Sequence, residues 1–206
     1  MNPFWVDNHG TIQGLGTSLL AEPGTGEDRY HTALDDIRRS DRDRAFASFT
    51  FDAQEVGSIV DMPETVYQVD GLGPGRPAGR ARVVNDGVAE WRVGFGKAML
   101  EIETGRVDKV VLARQVLLEF DEPPDLAGLV SRLSAANPGC YIFSVGGLVG
   151  ASPELLVSLR RGRISTLALA GTATDPNQLD TEKISEEHRH VSSSVTTVLE
   201  DHIAEV

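Results

Sequence analysis

The amino-acid sequence predicts an α+β fold, a mixed and largely antiparallel sheet with flanking helices. Short β-prone segments follow one another across turn residues, which is typical of hairpins. Only a few segments with helical spacing separate these strands, so the regular strand–helix alternation of a parallel sheet is missing. The sequence contains neither a Gly-x-Gly-x-x-Gly motif after a strand nor a Walker lysine, and therefore shows no nucleotide-binding motif.

The first half of the chain contains a polar segment followed by strands and one long helix. Residues 1–44 are broken by glycines and form an N-terminal segment with one predicted helix in "DRYHTALDDIRRS". Three strands are predicted in "AFASFTFD", "GSIVDM" and "TVYQV", with turn residues between them. "GLGPGRPAGR" is predicted to be a loop, and apolar residues at helical spacing predict a helix over 88–104.

The second half opens on "RVDKVVLARQVLLEF", residues 106–120, a predicted long strand. Both of its alternating faces are mostly apolar, so we expect it to be covered on both sides. A helix over 124–136 is followed by strands in "CYIFSV", "LVGA", "LLVSLRR" and "ISTLALAG", with "RRGR" as a hairpin turn. Asp180 is a good N-cap for a last helix that runs to the end of the chain.

Composition and charge exclude several classes of protein. The 206 residues are 40% hydrophobic and 24% charged, as in soluble globular proteins. A net charge of −12 without basic runs argues against nucleic acid as a partner. No apolar run approaches the ~20 residues of a membrane span, and the N-terminus lacks a secretory signal. Cys140 is the single cysteine, so we expect a cytoplasmic protein without disulfides or a membrane partner.

Lys109 is the first candidate for chemistry, because it lies among apolar, β-prone residues. One interpretation is a lysine near the start of a strand that extends its amine to water. The other is an amine held in a poorly solvated site, where it acts as a general base. The residues alone leave both interpretations open.

Two glutamates and one small-residue segment are the other candidates. Glu154 in "GASPELLV" follows Pro153, which donates no ladder hydrogen bond, so it lies near a strand end as a reactive or a merely exposed carboxylate. Glu187 precedes Val191 by one helical turn on the apolar stripe of the last helix. A carboxylate on this stripe either needs a partner, such as a cation, or is simply stabilised there by the helix dipole. The segment "LALAGTATD" allows close approach of a ligand to the backbone, or a tight turn.

Four segments in order, "DKVVLAR", "GASPELLV", "LALAGT" and a helix with "EK" and "EH", resemble the chorismate-utilising enzymes from about Ala45 to Val206. This family includes isochorismate synthase, salicylate synthase, anthranilate synthase component I and aminodeoxychorismate synthase. Members that add water to chorismate are similar in having lysine at the position of Lys109, whereas ammonia-using members usually have glutamine. The chain therefore resembles isochorismate synthase most.

The resemblance implies a role for each candidate residue. Lys109 would be the general base for the attacking water, and Glu154 the general acid for the departing hydroxyl. Glu187 would bind Mg²⁺, which would hold the carboxylate of chorismate. Gly171 and Thr172 would line the substrate. The product would be isochorismate, for menaquinone or siderophore synthesis, and the full-length protein is expected to be a monomer.

Three departures from the family pattern accompany this resemblance. Ile184 stands where the family usually has an acidic residue, and Asp175 lies where an arginine commonly follows "AGT". The chain stops at Val206, before the second magnesium-binding glutamate of the family, and the apolar stripe of its last helix has no stop signal. We therefore expect residues 45–206 to be the N-terminal portion of the catalytic domain, inactive and poorly folded alone. Salicylate synthase, which also eliminates pyruvate, and a catalytically dead, ligand-binding remnant are the alternatives.

Overall fold

A computed structural model describes residues 2–7, 10–71, 73, 75–76, 79–167, 169 and 182–200, and in the last range the side chains of 189 and 191–200. The helices are α1 (Arg29–Arg39), α2 (Val88–Glu103), α3 (Leu126–Ala136) and α4 (Glu182–Glu200). The strands are β1 (Phe4–Asp7), β2 (Gly10–Leu15), β3 (Leu19–Ala21), β4 (Phe46–Ser48), β5 (Ile59–Met62), β6 (Thr65–Val69), β7 (Ala81–Asn85), β8 (Leu117–Phe120), β9 (Tyr141–Val145), β10 (Leu148–Ser152), β11 (Leu155–Arg160) and β12 (Arg163–Leu167).

The chain divides into two compact units. Unit 1 comprises Met1–Pro74 and Ala127–Val206, and unit 2 comprises Gly75–Leu126. Every strand pair in the described residues is antiparallel. The predicted α+β class with a largely antiparallel sheet is therefore confirmed. No helix in the described part of the chain combines the length and the apolar character that a bilayer crossing requires.

The largest sheet of unit 1 has five strands in the order β10-β9-β1-β2-β6. The first strand of the chain lies at its centre, because β1 pairs with β2 on one side and with β9 on the other. Helix α3 contributes Val130 to a core with Phe4 and Ile142, all at most 5% exposed. This core fixes the sheet from which β10 leads to the predicted site.

A smaller sheet, β3-β5-β4, forms a second core with helix α1. Ala33 of the helix packs with Val60 and Met62 of β5, and all three are buried. Buried Arg29 donates from Nη1 to the carbonyl of Gly26 at 2.8 Å, which ties the helix to the preceding turn. Strands β3 and β4 pair with the two edges of the same β5, so the N-terminal segment 1–44 belongs to the same compact unit as residues 45–74.

Two hairpins of unit 1 close through left-handed backbone. Gly146 and Gly147 connect β9 to β10 with φ of 56° and 89°, and Arg161 and Gly162 connect β11 to β12 with φ of 52° and 78°. Two successive residues with positive φ are typical of type I′ hairpin turns, whose twist matches that of the strands. The hairpin predicted at "RRGR" is therefore confirmed.

Unit 2 pairs β7 with β8 and carries α2 between them. Gly87 is the one buried residue among those described in this unit. Apolar side chains remain exposed on both strands and on the helix, among them Val83, Leu118 and Phe95. The unit thus has a helix and an antiparallel strand pair but no buried apolar side chain among its described residues.

The predicted strand over 106–120 is wrong for most of its length. Only β8 at its end forms a strand, while 107–116 has no regular secondary structure and is exposed apart from Leu112. Among the described residues, β7 pairs with β8 and no strand pairs with 107–116. A strand that is apolar on both faces requires cover on both sides, and the described residues of unit 2 provide none.

The sequence prediction also missed β1, β2, β3 and β7. The first three lie in the segment that we described as polar with a single helix, and β7 follows the predicted loop. Their strand character depends on pairing with distant segments, such as β1 with β9. The four helices were predicted correctly, and the bounds of α1, α2 and α3 agree within two residues.

Candidate functional site

Glu154 lies where the chain leaves one sheet and enters another. Ser152 ends β10 in the five-stranded sheet, and Leu155 begins β11 in the β11–β12 hairpin. Pro153 between them has no N–H to donate to either ladder. Glu154 therefore lies between the end of β10 and the start of β11, near a strand end as the sequence predicted, and it is exposed.

The carboxylate of Glu154 reaches the segment that follows β12. Its Oε1 accepts a hydrogen bond from the backbone N–H of Leu169 at 3.3 Å. Leu169 precedes Gly171 by two positions, within the motif "LALAGT". Two of the four motifs on which the sequence prediction rests therefore meet at this carboxylate.

The hairpin next to Glu154 is irregular on the side of the site. The register of β11 against β12 shifts between Leu155 and Ser158, as at a β-bulge. The hydroxyl of Thr166 donates to the carbonyl of Leu155 at 3.3 Å. Bulges redirect side chains at functional positions, and this one lies directly after the predicted general acid.

Lys109 lies in unit 2, in the exposed stretch before β8. The doubly covered strand on which its predicted environment depended is not formed. A cavity of about 390 Å³ in the same unit is lined by α2 and by residues 112–115, and Lys109 is not among its lining residues. The structure thus gives this amine an exposed position, and its assignment as a base stays a prediction.

Glu187 lies within helix α4, but its side chain is outside the described residues. Gly171, Thr172, Asp175 and Asp180 are also outside them. On the same helix Val191, Val195 and Leu199 are half-buried, whereas Val198 is 62% exposed. No group of three or more His, Cys, Asp or Glu side chains in the described part of the chain is arranged to hold a metal ion.

Sequence reasoning missed an apolar cavity of about 850 Å³ in unit 1. Asp7 lies at this cavity, and its carboxylate accepts from Trp5 Nε1 at 3.1 Å and from Arg160 Nη2 at 3.3 Å. The two ends of that ion pair are 153 positions apart, so no local sequence signal connects them. The cavity is further lined by Phe4, Gly10, Ile12, Arg44, Ala45, Phe46, Ala47, Ser48, Gln68, Phe143, Val145 and Leu148.

Comparisons with known proteins agree on one family. The family model described as "Chorismate binding enzyme" matches residues 77–206. A relative from Aeromonas hydrophila is 32% identical over 134 residues, 57% of this chain and 34% of its own length. Isochorismate synthase EntC of Escherichia coli K12 is 37% identical over 119 residues, 50% of this chain and 30% of its own length. The matches thus span about a third of these relatives.

A solved structure supports the fold. The crystal structure of DhbC from Bacillus anthracis matches 98% of this chain and 61% of its own chain, with a TM-score of 0.75 and 21% sequence identity. At this identity the likeness concerns the fold, and it extends over nearly all of the 206 residues. The arrangement of sheets and helices is therefore one already seen in an experimental structure.

Proposed function

Because the chain belongs to the chorismate-binding enzyme family, we propose that it takes part in the conversion of chorismate into isochorismate. Relatives named isochorismate synthase, such as EntC, support this reaction among those of the family. Lysine at position 109 supports it as well, since water-adding members are similar in having lysine there. The chain spans about a third of the length of these relatives, so the reaction is proposed for the whole protein.

The observation that carries the proposal is the contact between Glu154 and Leu169. The carboxylate of the "GASPELLV" motif accepts the backbone N–H of the "LALAGT" motif. A general acid must lie where substrate is bound, and small residues such as Gly171 let backbone N–H groups approach a ligand closely. This contact supports the proposal because it joins the proposed acid to the motif whose next residues are proposed to line the substrate.

The proposed chemistry uses two groups in opposite initial protonation states. As general base, the Lys109 amine would take a proton from water as the water oxygen bonds to one ring carbon. As general acid, the Glu154 carboxyl would give a proton to the hydroxyl on another ring carbon as that C–O bond breaks. One water is consumed and one is released, so the overall reaction is an isomerisation, and proton exchange with solvent restores both groups.

Magnesium remains part of the proposal through Glu187. A hard dication favours carboxylate oxygens and requires near-octahedral coordination. The side chains that the structure describes provide no such set, so no step of the mechanism is derived through the ion. When bound, the ion would supply the positive charge that a chain of net charge −12 otherwise lacks for an anionic substrate.

The test is a product assay with chorismate and magnesium. Turnover is measured for the chain itself and for a hybrid in which residues 77–206 replace the aligned segment of EntC. Isochorismate as the product of either protein supports the proposal. Salicylate with pyruvate would instead assign a salicylate synthase. A folded hybrid that binds chorismate, measured by calorimetry, but forms no isochorismate would refute the proposal.

A further inference from the structure

The hydroxyl of Ser152 contacts the backbone of Glu154 on both sides. It accepts a hydrogen bond from the N–H of Glu154 at 3.2 Å and donates one to the carbonyl oxygen of Glu154 at 3.2 Å. Ser152 is partly buried at the end of β10, whereas Glu154 is exposed. One side chain in a folded sheet therefore holds both polar groups of an exposed residue.

At the junction between β10 and β11, the Ser152 hydroxyl takes the place of the strand-to-strand hydrogen bonds that Glu154 lacks. Glu154 lies between the last residue of β10 and the first residue of β11, so neither sheet pairs its backbone. The preceding residue is proline, which leaves the Glu154 N–H as the first donor after the strand. Backbone polar groups need partners, and in the described residues the Ser152 hydroxyl is the partner of this N–H.

The contact with Leu169 distinguishes the two oxygens of the carboxyl. Oε1 accepts the N–H of Leu169. In a neutral carboxyl the oxygen that accepts such a bond is the carbonyl oxygen, and the other oxygen carries the proton. Oε2 is thus the atom that would deliver a proton, while the Leu169 N–H would stabilise the carboxylate that remains.

We propose that Ser152 is a positioning residue for Glu154, because its hydroxyl holds the backbone from which the carboxylate reaches Leu169. The geometric part of this proposal stands by itself. Its catalytic consequence, proton delivery from Oε2, rests on the proposed function. Ser152 contacts no reacting atom in this proposal and acts only through Glu154.

The geometric part is tested by nuclear magnetic resonance on the full chain, labelled with ¹⁵N-leucine. A backbone N–H that is bonded to a carboxylate changes its chemical shift when the carboxylate titrates. The Leu169 signal should therefore respond to pH, and Glu154→Gln should remove that response. Ser152→Ala should also remove it, whereas Ser152→Thr, which keeps the hydroxyl, should retain it.

Ser158→Ala is the matched control, because Ser158 lies in the same hairpin and its hydroxyl makes no hydrogen bond within the described part of the chain. This variant should leave the Leu169 response unchanged. Circular dichroism of all variants shows whether a lost Leu169 response reflects a displaced Glu154 carboxylate or an unfolded protein. A Leu169 response that persists in folded Ser152→Ala would overturn the proposal.

The same variants separate this inference from the proposed function. The resonance experiment contains no chorismate, so its outcome is independent of whether the chain binds that substrate. In whichever protein turns over chorismate, Ser152→Ala should lower kcat about two- to tenfold, the effect of one net hydrogen bond. KM should change little and Ser152→Thr should restore kcat. A change confined to KM would contradict a positioning role.

Discussion

Units 1 and 2 each carry one predicted catalytic residue, but they differ in how their apolar side chains are covered. In unit 1 Val60 and Ile142 are at most 1% exposed, and Glu154 is held by hydrogen bonds at the edge of that framework. In unit 2 Val111 is 84% exposed, and Lys109 lies in the same irregular stretch. The comparison teaches that Glu154 is held by hydrogen bonds within its own unit, whereas Lys109 lies in a stretch without regular secondary structure.

The largest effect is expected from Lys109 itself. Lys109→Ala should lower turnover of chorismate about 10²–10⁴-fold, the usual contribution of a general base. Chorismate binding, measured by calorimetry, should stay roughly intact. Lys97→Ala is the control, because Lys97 is an exposed lysine of helix α2 in the same unit. Near-normal turnover of Lys109→Ala would show that this amine is not the general base.

Because apolar side chains are buried in unit 1 and exposed in unit 2, the two units should differ in their free energy of unfolding. The chain has two tryptophans, Trp5 in unit 1 and Trp91 in unit 2. In urea, the fluorescence of Trp5→Phe should report unfolding of unit 2, and that of Trp91→Phe unfolding of unit 1. We expect unit 2 to unfold first, with a free energy of unfolding about 2–3 kcal/mol lower than that of unit 1, because segments with few buried apolar contacts open first.

Coincident transitions for the two tryptophan variants would contradict this expectation and indicate a single cooperative unit. The result also refines the prediction made from the sequence that the chain alone folds poorly. According to the structure, the defect should be confined to unit 2, where exposed apolar side chains favour association. Light scattering during the same titration would detect it.

A matched pair of valine substitutions sharpens the comparison at the level of single side chains. Val60→Ala should lower the free energy of unfolding by about 1.5–3 kcal/mol, because Val60 is fully buried in the β5 core. Val111→Ala should change it by less than about 0.5 kcal/mol, because its side chain is exposed. Urea unfolding measures both. Equal losses would mean that residues 107–116 are covered in solution.

The smallest effect is expected at the proposed magnesium ligand. Glu187→Gln should weaken magnesium binding about tenfold, or ~1.4 kcal/mol, because an amide keeps the shape but loses the charge that a hard cation favours. Glu186→Gln is the control, since Glu186 lies off the apolar stripe of α4. Magnesium titrations of activity would compare the two. Equal losses would refute the choice of Glu187.

Local patterns in the sequence were sufficient to predict the helices and the location of Glu154 near a strand end. Helical spacing is a property of neighbouring residues, so α2 was predicted within one residue of its observed bounds. Pro153 marked the junction at which Glu154 lies. The bond from Leu169 to its carboxylate joins residues 15 positions apart, and that pairing depends on how the hairpin folds.

The same reasoning failed where a segment depends on distant partners. Residues 107–116 have the apolar alternation of a buried strand, but such a pattern reports the cover that a segment requires and not whether its own unit supplies it. For β1 and β2 the error was the reverse: the sequence predicted no strand where the structure has one. Their polar, glycine-broken sequence forms the centre of a sheet because β9 and β6 pair with them.

The central position of β1 has a consequence for biosynthesis. Phe4 pairs with Ser144, so β1 leaves the ribosome well before its partner, which is made about 140 residues later. At about 5–20 residues per second, that delay is roughly 7–28 s. Throughout it one edge of β1 has unpaired N–H and C=O groups, the kind of edge on which strands of other chains assemble. During synthesis this edge therefore stays open to association until β9 has been made.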